Sequence, residues 1–345
     1  MSRPAPGERD PTPKVVRHSC DTLGRRLPRS PSFPVRRVVQ TRQAAPNREE
    51  LDMDDATLLA ELHPTAERLV DHHLGMAKEW FPHDLVEWRP PPTAGSAEPL
   101  PEGVASALFV NVLTEDNLPY YFASIDDLFG RDGAWGFWTR RWTAEEGRHS
   151  IVLRDYLIMS GHIDPVELER ARMAQVSGGI SPDPGSIADT LVYLALQELA
   201  TRIAHHKTGK ALPDPEGYTV MKRVAADENL HYLFYRDLVS AALEIDPSGM
   251  MEAIKRQVLS FEMPGTGIPD FAQHAKAIAR AGIYDLGVHH DAILQPVVLG
   301  HWDVAGRQGL TPSAEAARKR LLQFITRLGR AAARVKKPPV ASESR

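Results

Sequence analysis

The sequence predicts an all-α fold with a four-helix bundle at its core and additional helices packed around it. Three observations support this prediction. Apolar residues recur at helical spacing through most of the chain from Asp54 onwards. No run alternates apolar and polar residues as a half-buried strand does, and no hairpin signal stands out. One short motif of glutamate and histidine also occurs twice, in two helical segments.

The repeated motif is Glu-x-x-His. It occurs first as Glu146 with His149 and again as Glu228 with His231. Residues three apart lie on one face of a helix, so each pair can hold a metal ion. A single copy is weak evidence, because such a pair is more often part of a solvated helix face.

A further glutamate precedes each copy at nearly equal distance. Glu115 lies 31 residues before Glu146, and Glu198 lies 30 residues before Glu228. This spacing suits two helices joined by a short loop, and the whole pattern is that of ferritin-like di-iron carboxylate bundles. The sequence therefore predicts a two-metal site with six ligands: Glu115, Glu146, His149, Glu198, Glu228 and His231.

The first 50 residues differ from the rest. Within residues 1–48, ten Arg and one Lys face three carboxylates, and apolar periodicity is poor. We therefore predict a disordered, basic Pro/Arg-rich segment at 1–50. An organelle transit peptide and a start at Met53 are alternatives. The di-iron domain is predicted at 51–334, and 335–345 is predicted as a flexible tail.

The helices follow in order from Asp54. A long Pro-rich loop from Arg89 to Gly103 separates the first helix from the second. Pro119 lies four residues after Glu115, so we expect the second helix to be distorted beside this ligand. Glu198 lies in a strongly apolar helix, where a lone carboxylate is costly unless a metal compensates it. The predicted helices are 54–76, 104–128, 134–159, 165–176, 187–207, 216–243, 250–262, 270–281, 285–299 and 313–334.

Composition excludes several classes of protein and site. No apolar stretch is long enough to span a bilayer. The single cysteine, Cys20, excludes internal disulfides and iron–sulfur or thiolate zinc sites. The residues after 48 are acidic overall, which argues against nucleic-acid binding by the folded part. A cytoplasmic location is expected, since no apolar signal-peptide core is evident.

At the ligand motifs the sequence resembles the soluble acyl-carrier-protein fatty acid desaturases, in particular their actinobacterial branch. The resemblance covers about residues 54–310 and is carried by specific segments: Thr114 to Pro119, Arg141 to His149, Gln197 to Ile203, Ala226 to His231, Lys78 to Asp84, and Met263-Pro264.

The resemblance implies a role for each matching residue. Glu115 and Glu198 match terminal iron ligands, while Glu146 and Glu228 match bridging ones, and the two motif histidines match the imidazole ligands. Thr201 matches a hydroxyl beside the oxygen-binding face. Asp227 and Trp80 match a route from the surface to the metals, and Asp227 is our candidate acceptor for His149. Gly147 replaces the asparagine that is usual in this motif.

The resemblance also implies the reaction: two Fe²⁺ ions use O2 to introduce a cis double bond into a long-chain acyl group. The substrate is implied to be carried on acyl carrier protein, although coenzyme A is an alternative carrier. A ferredoxin-type electron donor and a homodimer are implied as well. A di-iron oxygenase or N-oxygenase of a small molecule is the alternative function, and a ferritin-like iron-handling protein is a further one.

Other histidines and tryptophans invite a metal or electron-transfer interpretation. The pairs His72-His73, His205-His206 and His289-His290 lack a glutamate partner in the repeat. We interpret them as ordinary surface or core residues. Trp135, Trp138 and Trp142 are interpreted as helix packing, with Trp142 near the site because it lies one turn before Glu146.

Overall fold

The computed structural model describes residues 53–89, 97–180, 185–265 and 267–336. The predictions for segment 1–50 and for 337–345 fall on residues outside these ranges. The described residues form helices and loops without a strand. None of their helices is long and apolar enough to cross a membrane.

Twelve α-helices and one π-helix make up the described fold. They are α1 (Asp55–Met76), α2 (Pro82–Leu85), α3 (Glu102–Asp116), α4 (Leu118–Phe129), α5 (Gly133–Met159), α6 (Pro165–Gly178), α7 (Ile187–Ala211), α8 (Pro215–Ile245), α9 (Pro247–Ser260), α10 (Phe271–Arg280), α11 (Leu286–His289), the π-helix His290–His301, and α12 (Pro312–Lys336).

The four-helix core consists of α3, α5, α7 and α8. The α7–α8 pair packs most extensively, while α3 contacts α5 and α7, and α5 contacts α8. Helix α1 lies against α8 and α5, α9 covers α7 and α8, and α12 packs against α9, α11 and the π-helix. The all-α prediction, with extra helices around a bundle, is therefore confirmed.

Local sequence explains where the ligand-bearing helices begin. The Ser186 side chain accepts a hydrogen bond from the backbone N–H of Asp189 and caps α7. The Asp214 side chain caps α8 in the same way through Gly217, and Pro215 follows at the first helical position. Such caps satisfy N–H groups that have no partner within the helix.

The distortion predicted beside Glu115 is confirmed, and it is larger than a kink. The predicted helix 104–128 is two helices, α3 and α4, which are separated at Asn117. Pro119 lies in the first turn of α4, where its missing N–H does no harm. The break leaves Glu115 in the last turn of α3, directly beside the irregular backbone.

Three details differ from the predicted elements. Helix α2 was not predicted, and the predicted helix 285–299 is a short α-helix followed by the π-helix. Pro296 lies inside this π-helix, and the ring of a proline clashes with the carbonyl four residues earlier in an α-helix, which a wider winding relieves. Helix α12 ends at Lys336, two residues into the segment that is predicted as a tail.

Candidate metal centre

Two groups of buried side chains meet inside the four-helix core. One consists of Glu115, Glu146, His149 and Glu228, and the other of Glu146, Glu198, Glu228 and His231. Within each group the ligand atoms lie within 4.8 Å of one another. Glu146 and Glu228 belong to both groups, so the structure brings all six predicted ligands together around two adjacent positions.

Glu146 lies between the two motif histidines and contacts both. The Oε2 of Glu146 lies 3.3 Å from His149 Nδ1, and its Oε1 lies 2.8 Å from His231 Nδ1. Both imidazoles therefore direct Nδ1 towards the shared carboxylate. Glu198 Oε2 lies 3.6 Å from this same Nδ1 of His231. Glu146 thus contacts a histidine from each of the two groups.

The unpaired atoms of the centre fit a metal pair. Glu146 Oε1, Glu198 Oε2 and His231 Nδ1 are buried, and none of them makes a hydrogen bond of normal geometry to a described residue, although Glu146 Oε1 and His231 Nδ1 lie 2.8 Å apart. Buried polar atoms without partners are costly. Carboxylate and imidazole donors suit iron and manganese, and they leave room for further ligands on each ion.

The electrostatics of the centre also favour a bound cation. Burial, together with the charge of Glu146, raises the pKa of Glu115 to about 8. Burial and the charge of Glu228 raise the pKa of Glu198 well above its usual range. Protons on these carboxyls take the place of cations, so metal binding should release protons and strengthen as the pH rises.

Beyond His149, an aspartate and an indole continue the chain of contacts. Asp227 Oδ2 lies 3.5 Å from His149 Nε2, and Trp80 Nε1 donates to the same oxygen at 2.7 Å. The guanidinium groups of Arg148 and Arg223 lie over the Trp80 ring, 4.7 Å and 5.7 Å from its centroid. Burial alone would raise the pKa of Asp227, but the hydrogen bond and charge of His149 outweigh it and lower this pKa.

Beyond His231, sequence reasoning missed a second buried chain. Glu145 Oε2 lies 2.9 Å from His231 Nε2 and 2.9 Å from His73 Nε2. All three side chains are at most 3% exposed. His73 is thus a buried core residue, and its contact with Glu145 is a partner that the sequence analysis did not identify. Glu145 comes from α5 and His73 from α1, so only the packing of the two helices could reveal the pair.

Two further residues lie closer to the centre than their sequence interpretation suggested. His205 Nε2 lies 3.4 Å from Glu115 Oε1 and 3.6 Å from Glu228 Oε1. Burial would lower the pKa of His205, but these two carboxylates raise it to about 9. Trp142 does more than pack, since its Nε1 donates to Glu198 Oε1 at 3.1 Å. The helical spacing of His205, seven residues after Glu198, is the one signal that could have found it.

A cavity of about 390 Å³ reaches the metal ligands from the surface. Glu115, Glu146, Glu198 and Glu228 lie on its wall, together with Thr201. The Thr201 hydroxyl is 2.9 Å from Glu228 Oε2 and 3.0 Å from the backbone oxygen of Glu198. The other walls come from α4, α6, the first half of α7, the end of α9 and the loop after it.

Comparison with known proteins gives a consistent result. A family model described as fatty acid desaturase matches residues 54–345. A Mycobacterium tuberculosis protein that carries the name acyl-(acyl-carrier-protein) desaturase DesA1 is 40% identical over 290 residues, which cover 79% of this chain and 86% of that protein.

Two more distant relatives agree with this result. A chloroplastic stearoyl-(acyl-carrier-protein) 9-desaturase 6 of Arabidopsis thaliana is 33% identical over 251 residues, covering 67% of this chain and 63% of that protein. The X-ray structure of DesA2 from M. tuberculosis, titled as an acyl-ACP desaturase, superposes with a TM-score of 0.60 at 25% identity, covering 75% of this chain and 98% of that one.

Proposed function

This chain belongs to the fatty acid desaturase family, and on that premise we propose that it introduces a cis double bond into a long-chain acyl group carried on acyl carrier protein. The observation that carries the proposal is the cavity, which leads from the surface to two adjoining groups of buried metal ligands. The two most similar relatives described above are named for substrates of this kind.

We propose that the centre holds two iron ions through the six ligands predicted from the repeated motif. Bound iron would supply the activation of O2. In the overall reaction the acyl chain loses two hydrogen atoms, the external donor supplies two electrons with two protons, and O2 becomes two waters. The protein excludes water from the ligands, since Glu198 and Glu228 are 1% and 2% exposed. Thr201 lines the cavity and contacts Glu228, so its hydroxyl lies beside the ligands on the side from which a substrate would approach.

The Trp80–Asp227–His149 chain is proposed as the route by which electrons enter. The Trp80 indole nitrogen lies 2.7 Å from Asp227 Oδ2, and the same oxygen lies 3.5 Å from His149 Nε2. Arg148 and Arg223 cover the indole and both pair with Asp227, so their charges hold this carboxylate beside the indole. A ferredoxin-type electron donor is the partner proposed on this side.

We also propose a homodimer and a cytoplasmic location. The dimer is checked by light scattering of the purified chain, where a clean monomer would contradict it. Deletion of residues 1–50 should leave iron content and melting temperature unchanged, because that segment lacks core-forming pattern.

One observation favours the oxygenase alternative. Thr114 Oγ1, Asn117 Oδ1 and Gln175 Oε1 are buried without a hydrogen-bond partner among the described residues, and all three residues line the cavity. A substrate with its own polar groups would satisfy such atoms better than a plain alkyl chain does.

The deciding experiment uses labelled O2. Reduced enzyme is supplied with long-chain acyl carrier protein, and the acyl products are analysed by mass spectrometry. The proposal expects a cis-alkene without label, with both oxygen atoms ending in water. Label in a hydroxylated acyl chain, or turnover only with a small polar molecule, would move the assignment to an oxygenase.

A further inference from the structure

The cavity wall next to the proposed ligand Glu115 contains polar side chains that the proposed chemistry does not use. Thr114 Oγ1, Asn117 Oδ1 and Gln175 Oε1 are buried without a hydrogen-bond partner among the described residues. The three residues are at most 9% exposed, and they line the cavity together with Glu115. We call these three residues the polar wall.

The break between α3 and α4 fixes the position of the polar wall. Thr114 lies in the last turn of α3, and Asn117, at the break, donates its backbone N–H to the Thr114 carbonyl at 3.1 Å. Both residues therefore lie within two positions of Glu115 in the chain. Gln175 comes from α6 and is brought to the same junction. The Tyr120 hydroxyl of α4 ties the two elements together, because it donates to the carbonyl of the residue after Gln175 at 2.7 Å.

The Asn117 side chain is held in one orientation. Its Nδ2 donates to the Ile180 carbonyl at 2.9 Å, so Nδ2 and Oδ1 cannot exchange places without losing this hydrogen bond. An amide oxygen only accepts hydrogen bonds, whereas a threonine hydroxyl both donates and accepts. Asn117 Oδ1 and Gln175 Oε1 therefore both need a donor. The partner that the polar wall lacks is a group with a hydrogen to donate.

Polar side chains elsewhere in the same cavity already have partners. Gln257 Nε2 donates to Asp189 Oδ1 at 3.0 Å, and Ser260 Oγ donates to the Arg256 carbonyl at 2.9 Å. Apart from the proposed metal ligands, the buried polar atoms of described cavity residues that lack a partner are those of the polar wall. The unmet need for a donor is therefore confined to the part of the cavity beside Glu115.

A plain alkyl chain in this cavity would leave these atoms buried and unpaired, which costs free energy. A hydroxyl on the chain donates to an amide oxygen and accepts from Thr114, so one substituent satisfies two of the three atoms. A keto oxygen only accepts and pairs with neither amide oxygen. We propose that the acyl substrate carries a hydroxyl group close to the carbons that lose hydrogen, and that Thr114, Asn117 and Gln175 recognise this hydroxyl. The inference rests on the proposed function, because it names the substrate class of the same cavity.

The first test uses the wild-type enzyme and a matched set of acyl carrier proteins. Their chains have equal length and differ at one mid-chain carbon, which is a methylene, a hydroxyl-bearing carbon or a keto carbon, and the substituent is moved along the chain. We expect the best hydroxylated chain to exceed the plain chain about tenfold in kcat/KM, because the plain chain leaves a buried acceptor unpaired. The keto chain should be no better than the plain one.

The second test removes the polar wall. Thr114→Val with Gln175→Met deletes two of the unpaired oxygens and nearly keeps the shapes of the side chains. This double variant should use hydroxylated and plain chains within about twofold of each other. Ser260→Ala is the matched control, because it removes a cavity hydroxyl that already has a partner, and it should keep the wild-type preference. Iron per chain and melting temperature check the fold, and the two single substitutions repeat the test if the double variant does not fold.

Equal kcat/KM for hydroxylated and plain chains in the wild type would overturn the proposal, as would equal use of hydroxylated and keto chains. A preference that survives in the double variant, or is lost equally in Ser260→Ala, would also overturn it. If the wild type desaturates none of the chains, the proposed function fails instead. Calorimetric titration with the same acyl carrier proteins then tests the polar wall separately. Tighter binding of the hydroxylated chain that is lost only in the double variant supports the proposal, and equal binding of all three chains refutes it.

Discussion

The two halves of the metal centre have the same inner arrangement and different surroundings. The histidine of each Glu-x-x-His motif contacts a carboxylate from the other motif's helix. That carboxylate comes directly before the glutamate of the other motif. His149 thus faces Asp227, next to Glu228, and His231 faces Glu145, next to Glu146.

Beyond these carboxylates the symmetry ends. The Asp227 side continues to the Trp80 indole, which lies beneath two arginines. On the Glu145 side, one carboxylate oxygen contacts His73 on α1, whose ring meets the edge of Trp138 inside the core. The other oxygen pairs with Arg141, and among the described residues this side has no indole in the position that Trp80 occupies. The repeated helices therefore fix the ligands, and the elements outside the repeat decide what each half-site connects to. The predictions below test this difference.

Removing Glu146 should have the largest effect, because its two oxygens contact the histidines of both halves. We expect Glu146→Ala to lose both irons and all activity, on the template of paired carboxylate bridges. Iron per chain is measured by elemental analysis, with Glu67→Ala on the exposed face of α1 as the control. Full iron content in Glu146→Ala would show that the site is misplaced.

Asp227→Asn and Glu145→Gln should have similar effects if the two inner arrangements are equivalent. Each keeps its shape but loses the negative charge that orients a histidine, which typically weakens metal affinity or activity about 10- to 100-fold. Iron affinity of the two variants is compared by chelator competition. A loss of iron affinity in only one of the two variants would show that the two halves are not equivalent.

Trp80→Phe and His73→Gln should differ in their effect on turnover if electrons enter only through the Trp80 side of the centre. We expect Trp80→Phe to slow turnover with a protein electron donor about tenfold, with much less change when a small chemical reductant is used. His73→Gln should not show this dependence on the donor. Iron content serves as the control, and an equal response to both reductants would place electron entry elsewhere.

The buried contacts of Glu145 with His73 and His231 should make the stability of the metal-free protein depend on pH. Burial would raise the pKa of Glu145, but hydrogen bonds from His231 and His73 outweigh it and lower this pKa below its usual value of 4.5. A lowered pKa contributes stability above about pH 4.5, and this stability is lost as the pH falls further. Glu145→Gln should therefore lower Tm by several degrees at pH 7 and by less at pH 4. A constant difference in Tm would exclude a charge effect.

The smallest effect concerns the position after each shared glutamate. The first repeat has Gly147 and the second has Asn229. A Cβ at Gly147 would come no closer than 4.0 Å to a non-local atom, Leu118 Cδ2. Gly147→Ala should thus stabilise α5 by about 0.5–1 kcal/mol without changing iron content. Denaturant unfolding measures the gain, and a destabilised variant would mean that the helix needs glycine here.

The sequence alone predicted most of the helices and the six candidate ligands that the structure brings together, because both follow from local spacing. Glutamate and histidine three residues apart share a helix face wherever the helix lies, and the second copy of the motif supplied the opposing half. Asp227 could also be proposed from sequence, since it directly precedes Glu228 and so points to a neighbouring helix.

The tertiary structure alone decided which side chains surround each ligand. Glu145 and His73 are 72 residues apart, and Arg148 meets the ring of Trp80 only after the segment following α1 folds over α5. No periodicity connects such residues, because their contact depends on the rotation of each helix and the angle at which it packs.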